Sequence, residues 1–419
     1  MLETVRTAWR IKELRDRILF TLAMFVVFRV GSAIPVPGVD PSRLAEFFQQ
    51  DTIFGFVNII GGGNLENFTI FALGIMPYIN ASIIMNLLTI VIPKLKEWSQ
   101  EGPEGRKKIS QITRYGTIVI AVIQALGLAT IIAGDAVLDR TFLSYATIII
   151  SMTAGTAFLM WMGELITEKG IGNGISLIIF AGIVAGFPIG VAMAAEQYRF
   201  GQINLLIIAL VLIMLLGLIV GIIGLDQGQR RINVQYSKRV VGRKMYGGQA
   251  THIPMKVNQA GVIPVIFASV ILSFPQTLVS FIQHPIAQRI AASLGWGTNL
   301  NLFLYVSLII LFTYFYTAVQ FDPFQVAGNI KKYGGFIPGL RPGRPTADYL
   351  ARVTSRLTTA GAFSLAFIAV FPIILERLTG MNIIFGGTGL IIVVGVVLET
   401  FKQIESHMLM RSYRGYMKE

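Results

Sequence analysis

Residues 204–225 read NLLIIALVLIMLLGLIVGIIGL, and after its opening asparagine the run carries no charged or amide side chain. At about 1.5 Å of rise per residue, such a run crosses a hydrocarbon core roughly 30 Å thick as a single helix. The same signal recurs along the chain. Apolar runs near 18–34, 68–92, 115–133, 142–163, 175–195, 204–225, 259–282, 301–321, 358–375 and 387–401 predict ten spans, the last being the shortest. Of the 419 residues, 54% are hydrophobic and only 14% charged, with a mean hydropathy of +0.66. These values place the chain in the all-α polytopic membrane class.

The net charge of +13 is informative through its placement. With the N-terminus in the cytoplasm, 29 of the 35 lysines and arginines fall on the cytoplasmic side, and only Arg29, Arg43, Arg140, Arg199, Arg289 and Arg377 fall on the other. Basic residues are retained on the cytoplasmic face during insertion, so this bias sets the orientation and puts both termini in the cytoplasm. The opening MLETVRTAWRIKELRDR lacks a small-residue cleavage site after a short apolar core, and is expected to be retained.

Several chemistries are excluded by what is missing. There is no cysteine, so no disulfide framework or thiolate site exists. His252, His284 and His407 are far apart in sequence, which leaves no metal-binding spacing. GIGNG (170–174) and GGTG (386–389) lack the phosphate-loop spacing, so no cofactor or nucleotide is expected and the chain is read as a non-enzyme. An ion-coupled secondary transporter is the rival reading. Carriers place ionisable groups at mid-membrane, whereas Arg29, Glu164, Glu376 and Glu399 sit toward the ends of spans. A conduit with an apolar middle remains, and a docking scaffold without a pore is a third possibility.

Ten spans divide into five and five, which inverts one half relative to the other: residues 1–195 with spans one to five, and 196–419 with spans six to ten. Two cytoplasmic loops, 226–258 and 322–357, are long and basic, with Tyr236, Tyr246 and Tyr333 among the cations. That composition suits docking of a protein or ribosomal RNA. RRINVQYSKRV alternates as a strand does, and Gly247 and Gly248 offer a turn, so a basic hairpin is expected in the first loop. Prolines 338, 342 and 345 stiffen the second before a helical return. For residues 93–114, contact with anionic lipid explains the charge equally well.

Six stretches carry a family resemblance: IFALGIMPYINASIIMNLL (70–88), EGRKKISQITRYGT (104–117), GIGNGISLIIFAGIVAG (170–186), RRINVQYSKR (230–239), THIPMKVNQAGVIPVIFASVI (251–271) and FIPGLRPGRPT (336–346). In that order they resemble the SecY/Sec61 alpha family of protein-conducting channels. The resemblance implies a clam-shell of two halves around an hourglass pore, in the bacterial cytoplasmic membrane. Its pore ring carries over onto Ile75, Ile79, Ile175, Ile179, Ile266 and Ile392. Stiff, uncharged side chains of this kind exclude water and ions by dewetting, and part without breaking a hydrogen bond. On residue type alone, any of the six could instead face lipid.

The resemblance further implies a plug at residues 53–67, which includes Val57, Asn58, Ile59, Ile60, Gly61, Gly62, Gly63, Asn64, Leu65, Glu66 and Asn67. The glycines would permit backbone reversals and leave few anchoring contacts, while Asn58, Asn64 and Glu66 would tolerate an aqueous funnel. An ordinary external loop is what the residues suggest without it. A lateral gate between spans two and seven, open to signal sequences and membrane helices, would be pinned by Asn86, Asn258 and Gln259, although Asn258 could equally cap a helix. Docking would use Arg230, Arg231, Lys238, Arg239, Arg243 and Lys244 of the first loop and Arg341 of the second. The implied partners are SecE and SecG subunits, the SecA motor ATPase, the ribosome with its RNA, nascent secretory and membrane proteins, and anionic lipid.

Overall fold

A computed structural model describes residues 7, 9–40, 62–65, 67–132, 137, 141–236, 239–241, 244–246, 250–281, 293–295, 298–381 and 387–416. Each of the ten expected spans contains a helix. They are α1 (Lys12–Gly31) and α2 (Met76–Val91), then, after the short α3 (Pro93–Gln100), α4 (Pro103–Ile132) and α5 (Phe142–Lys169). The fifth span is the pair α6 (Gly174–Ala185) and α7 (Phe187–Arg199), followed by α8 (Leu205–Gln227), α9 (Ile263–Phe281) and α10 (Asn299–Gln320). After α11 (Pro323–Lys332) come α12 (Arg344–Thr379) and α13 (Gly387–Tyr416).

Among the described residues seven helices are long and apolar enough to cross a bilayer by length and composition alone, and α2 with α3 makes an eighth, bent by 102°. The bend falls at Ile92–Pro93, where proline opens α3 and cannot continue the α2 hydrogen-bond ladder. The remaining two, α1 and α9, correspond to the first and seventh expected spans. The second span is shorter than its apolar run: residues 68–75 form turns, Phe68 has φ 43° and Gly74 φ 57°, and the helix begins only at Met76. The ninth is longer, because α12 starts at Arg344, inside the stretch expected to be loop.

The first long loop, 226–258, contains a hairpin of β1 (Gln229–Tyr236) and β4 (Ala250–Lys256), paired antiparallel from Gln229↔Lys256 to Gln235↔Ala250. A second small ladder, β2 (Arg239–Val241) with β3 (Lys244–Tyr246), forms its tip. The expected turn at Gly247 and Gly248 lies outside the described residues, and in the tip ladder Val241 pairs with Lys244. The second loop begins with α11, whose N-terminus is capped by Asp322 accepting from the amides of Phe324 at 2.8 Å and Gln325 at 3.3 Å. It then contributes β5 (Gly335–Phe336), which pairs with Gln235 and Tyr236 on β1.

Alternation along β1 turns Ile232 and Val234 inward, where they meet Met255, Ala327, Ile330, Ile337, Ala347, Leu350 and Val353. The two loops therefore share one core of their own. Leu350, on α12, is fully buried in it. Replacing it with alanine is expected to cost roughly 2–5 kcal/mol locally. Limited proteolysis checks this: shared packing predicts faster cleavage in the 226–258 loop as well as in the 322–357 loop, and cleavage confined to the second loop would show the cores to be independent.

Candidate pore, gate and docking surface

The six ring positions come together in one apolar cluster built from both ends of the chain. Ile75, Ile79, Ile179 and Ile392 are buried there, and Ile175 and Ile266 are half-buried against it. Local structure explains the placement. Ile75 is the N-cap residue of α2, its carbonyl accepting from the amides of Tyr78 and Ile79. Ile175 and Ile179 share a face of α6 at the i, i+4 spacing. Asn173 caps that helix by accepting from Ile175 at 3.1 Å and Ser176 at 3.3 Å. Ile266 lies on the first turn of α9, and Ile392 on the second turn of α13.

Next to these six isoleucines lies a buried group of hydroxyls that sequence reasoning missed. Tyr305 of α10 is fully buried, its Oη 2.6 Å from Thr388 Oγ1 of α13 and 3.3 Å from Ser269 Oγ of α9. Ser269 comes three residues after Ile266 and Thr388 precedes Ile392 by four, so each sits one turn from a ring isoleucine. The only sequence signal is a hydroxyl within each of three apolar runs. Glu164, noted as an ionisable group near a span end, pairs with Arg114 Nε at 2.6 Å between α5 and α4.

At the expected plug, Val57, Asn58, Ile59, Ile60, Gly61 and Glu66 lie outside the described residues. Asn64 and Leu65 are buried, which corrects the expectation that Asn64 meets an aqueous funnel, while Gly62 and Gly63 are half-buried. Gly62 (φ 72°) and Gly63 (φ 80°) reverse the chain. A Cβ on Gly62 would come within 2.8 Å of the Gly182 backbone in α6, so glycine permits this approach. Asn64 and Leu65 are each 1% exposed, Asn64 through its carbonyl accepting from the Thr69 amide at 3.0 Å and Leu65 by packing with Val36, Phe68 and Ala72. Asn64 thus faces the core, while Asn67 alone of the described members is exposed, its Nδ2 donating to the Gly63 carbonyl. Beyond them, Phe71 stacks between Phe28 of α1 and Phe158 of α5, with ring centroids 6.0 Å apart on both sides.

The three expected gate amides divide into two settings. Asn86 is exposed and lines an open pocket of about 270 Å³ between α2, α3 and α4, with Tyr78, Ser82, Arg106 and Ser110. Asn258 and Gln259 precede α9 by several residues, so Asn258 does not cap that helix. Asn258 Oδ1 and Gln259 Oε1 are buried without a hydrogen-bond partner. A buried acceptor left without a partner costs about 1–3 kcal/mol, so a donor that reached either oxygen would be favoured there. Among the described residues α9 packs chiefly on α10, and meets the first five spans at α4 more than at α2.

Of the docking positions, Arg230 and Arg231 lie exposed on β1 and Arg341 lies exposed in the turn after β5. The sheet and its core bring these loops together. The Arg341 carbonyl accepts from Thr346 Oγ1 at 2.8 Å, which ties the arginine's backbone to the first turn of α12. Arg239 and Lys244 are on β2 and β3 at the hairpin tip, and Lys238 and Arg243 fall outside the described residues.

Comparison with known proteins bears on this arrangement. The SecY family model matches residues 69–401. A curated relative from Halalkalibacterium halodurans, named protein translocase subunit SecY, is 47% identical over 434 aligned positions that cover 100% of both chains. Among solved structures, one reported with the statement that the plug domain of the SecY protein stabilises the closed state and maintains a membrane seal has a TM-score of 0.66, at 20% identity, covering 94% of this chain and 92% of that one. Canine Sec61, in a ribosome-channel complex from the endoplasmic reticulum, has a TM-score of 0.64 at 18% identity over the same shares. The structural likenesses establish a common fold, and the full-length sequence match goes further: this multi-pass membrane protein belongs to the SecY family.

Proposed function

We propose that the chain is the channel-forming subunit of a protein translocase, passing unfolded polypeptides through a pore whose constriction is Ile75, Ile79, Ile175, Ile179, Ile266 and Ile392. The observation that carries this reading is the convergence of these six residues, from both halves of the chain, into one apolar cluster. Four of them come from residues 1–195 and two from 196–419, so the constriction lies where the two halves meet. Parting the halves would open it without stranding a polar group. The buried side-chain oxygens of Asn258 and Gln259, which have no protein hydrogen-bond donor, support a seam beside α9 as the lateral exit for apolar segments.

The plug is assigned to residues 53–67, hinged at Gly62 and Gly63 and anchored from Asn64 onward. Arg230, Arg231, Arg239, Arg341 and their neighbours form the cytoplasmic surface for SecA or the ribosome, which supply the energy because the chain has no nucleotide-binding motif. SecE and SecG complete the complex, in a bacterial cytoplasmic membrane with both chain termini inside.

Planar-bilayer conductance of the purified complex tests the proposal. Wild type is expected to be silent and a variant lacking residues 57–63 to open in bursts. If both stay silent even with a signal peptide added, the pore reading fails.

A further inference from the structure

The glycine turn GIGNG, residues 170–174, has no part in the functions assigned above, yet side chains from several helices converge on its backbone. Arg17 Nη1 of α1 donates to the Gly170 carbonyl at 3.2 Å, and the Ile171 amide donates to Thr21 Oγ1, also of α1, at 3.1 Å. The Gly174 amide donates to Thr167 Oγ1 of α5 at 2.9 Å. Asn173 caps α6. The Gly172 amide crosses to the other half of the chain, donating to Gln403 Oε1 of α13 at 2.9 Å.

The glycines are required by geometry. Gly172 has φ 88°, and a Cβ on Gly174 would overlap the Gly163 carbonyl. Around this hydrogen bond Ile171 shares a small apolar cluster with Leu14 and Ile404. Lys402 Nζ, next to Gln403, pairs with Asp226 of α8 at 2.6 Å. The knot thus grips α1, α5 and α6 of the first half, and α8 and α13 of the second. The side-chain oxygens that meet it accept from backbone amides, in contrast to Asn258 Oδ1 and Gln259 Oε1 before α9.

We propose that this turn and Gln403 form a cytoplasmic clasp, the fixed point about which the two halves move when the channel opens. In this role Gly172 and Gln403 are positioning residues: they hold α6, with Ile175 and Ile179, in register with α13 and Ile392 while the seam at α9 parts. The inference rests on the channel reading, and goes beyond it by naming which contact between the halves stays closed.

A covalent lock distinguishes a fixed point from a moving seam. The chain has no cysteine, so an Ile171→Cys/Ile404→Cys variant joined by a short bis-maleimide labels only the clasp. Assembled with its partner subunits and driven by its motor, the cross-linked channel is expected to retain more than half of the precursor translocation seen before cross-linking. Translocation abolished on cross-linking would overturn the proposal. A wild-type complex that moves no precursor would instead sink the channel reading, so the two failures are distinguishable.

Conductance supplies a second readout. Gln403→Leu removes the acceptor and is expected to raise resting ion leak roughly threefold to tenfold, the equivalent of one lost hydrogen bond. Gln403→Glu keeps an acceptor oxygen facing Gly172 and should remain as tight as wild type. Equal leak from both variants, or from neither, would contradict the clasp. If Gln403→Leu does not fold, the cross-link decides alone.

Discussion

Replacing Ile79 and Ile179 together with serine is expected to raise the resting ion conductance of the assembled channel by about two orders of magnitude. Both side chains are buried in the central cluster, at 8% and 4% exposure, and they come from different helices, α2 and α6. Taking an isoleucine side chain out of water is worth roughly 1.5–3 kcal/mol, and that energy is what keeps a narrow apolar constriction dry. A hydroxyl removes most of it and offers water a hydrogen bond. At 1.4 kcal/mol per factor of ten, each site lowers the cost of wetting by about tenfold or more. The two substitutions need not act independently, since they meet in one cluster. Valine at both positions controls for lost volume: it shortens the side chain but keeps the surface apolar, and should leak far less. If the serine variant stays as silent as wild type, these isoleucines are packing residues and the constriction lies elsewhere.

The contrast between what the sequence made legible and what it concealed tracks the range of the interactions. Spans such as 204–225 are encoded by local composition, and each of the ten contains helix. The boundaries that moved were those set by contacts distant in sequence. The second span loses residues 68–75 because the strand-like bridge from Pro35 to Thr69 and the Phe28–Phe71–Phe158 stack hold that stretch out of helix. The core shared by the two loops was invisible because its only backbone link between them, among the described residues, is β5, two residues that pair with a strand about a hundred positions earlier. Asn64 misled because an asparagine beside three glycines suggests solvent, whereas its carbonyl is fixed by Thr69. The ring isoleucines were selected by family resemblance, since isoleucine in a membrane helix is too common to identify a pore. Nothing local showed that Ser269, Tyr305 and Thr388 meet.

Reversing three exposed charges, Arg230→Glu, Arg231→Glu and Arg341→Glu, is expected to weaken ribosome binding about a hundredfold at low salt. The shared core brings the two loops together, so a single large partner can engage both. Exposed ion pairs are worth about 0.2–1 kcal/mol each, and reversal replaces attraction with repulsion, so three sites together reach about 3 kcal/mol. The salt dependence carries the stronger inference. Each phosphate contact contributes about 0.7 to 0.9 to the slope of log affinity against log salt, so losing three should flatten it by about two to three. A drop in affinity with an unchanged slope would mean that the arginines support the fold of the loops rather than touch RNA, and the hydrogen-exchange protection of β1 would then fall as well. Arg341→Lys separates charge from shape. Lysine keeps the charge and hence the slope, but loses the planar fork that can hold a carboxylate or phosphate through two hydrogen bonds. Because the Arg341 backbone is tied to Thr346 at the start of α12, a partner gripping that fork would pull directly on the helix that continues through the membrane. The lysine variant is therefore expected to bind the ribosome normally while driving translocation poorly, and equal performance in both assays would show that Arg341 acts through its charge alone.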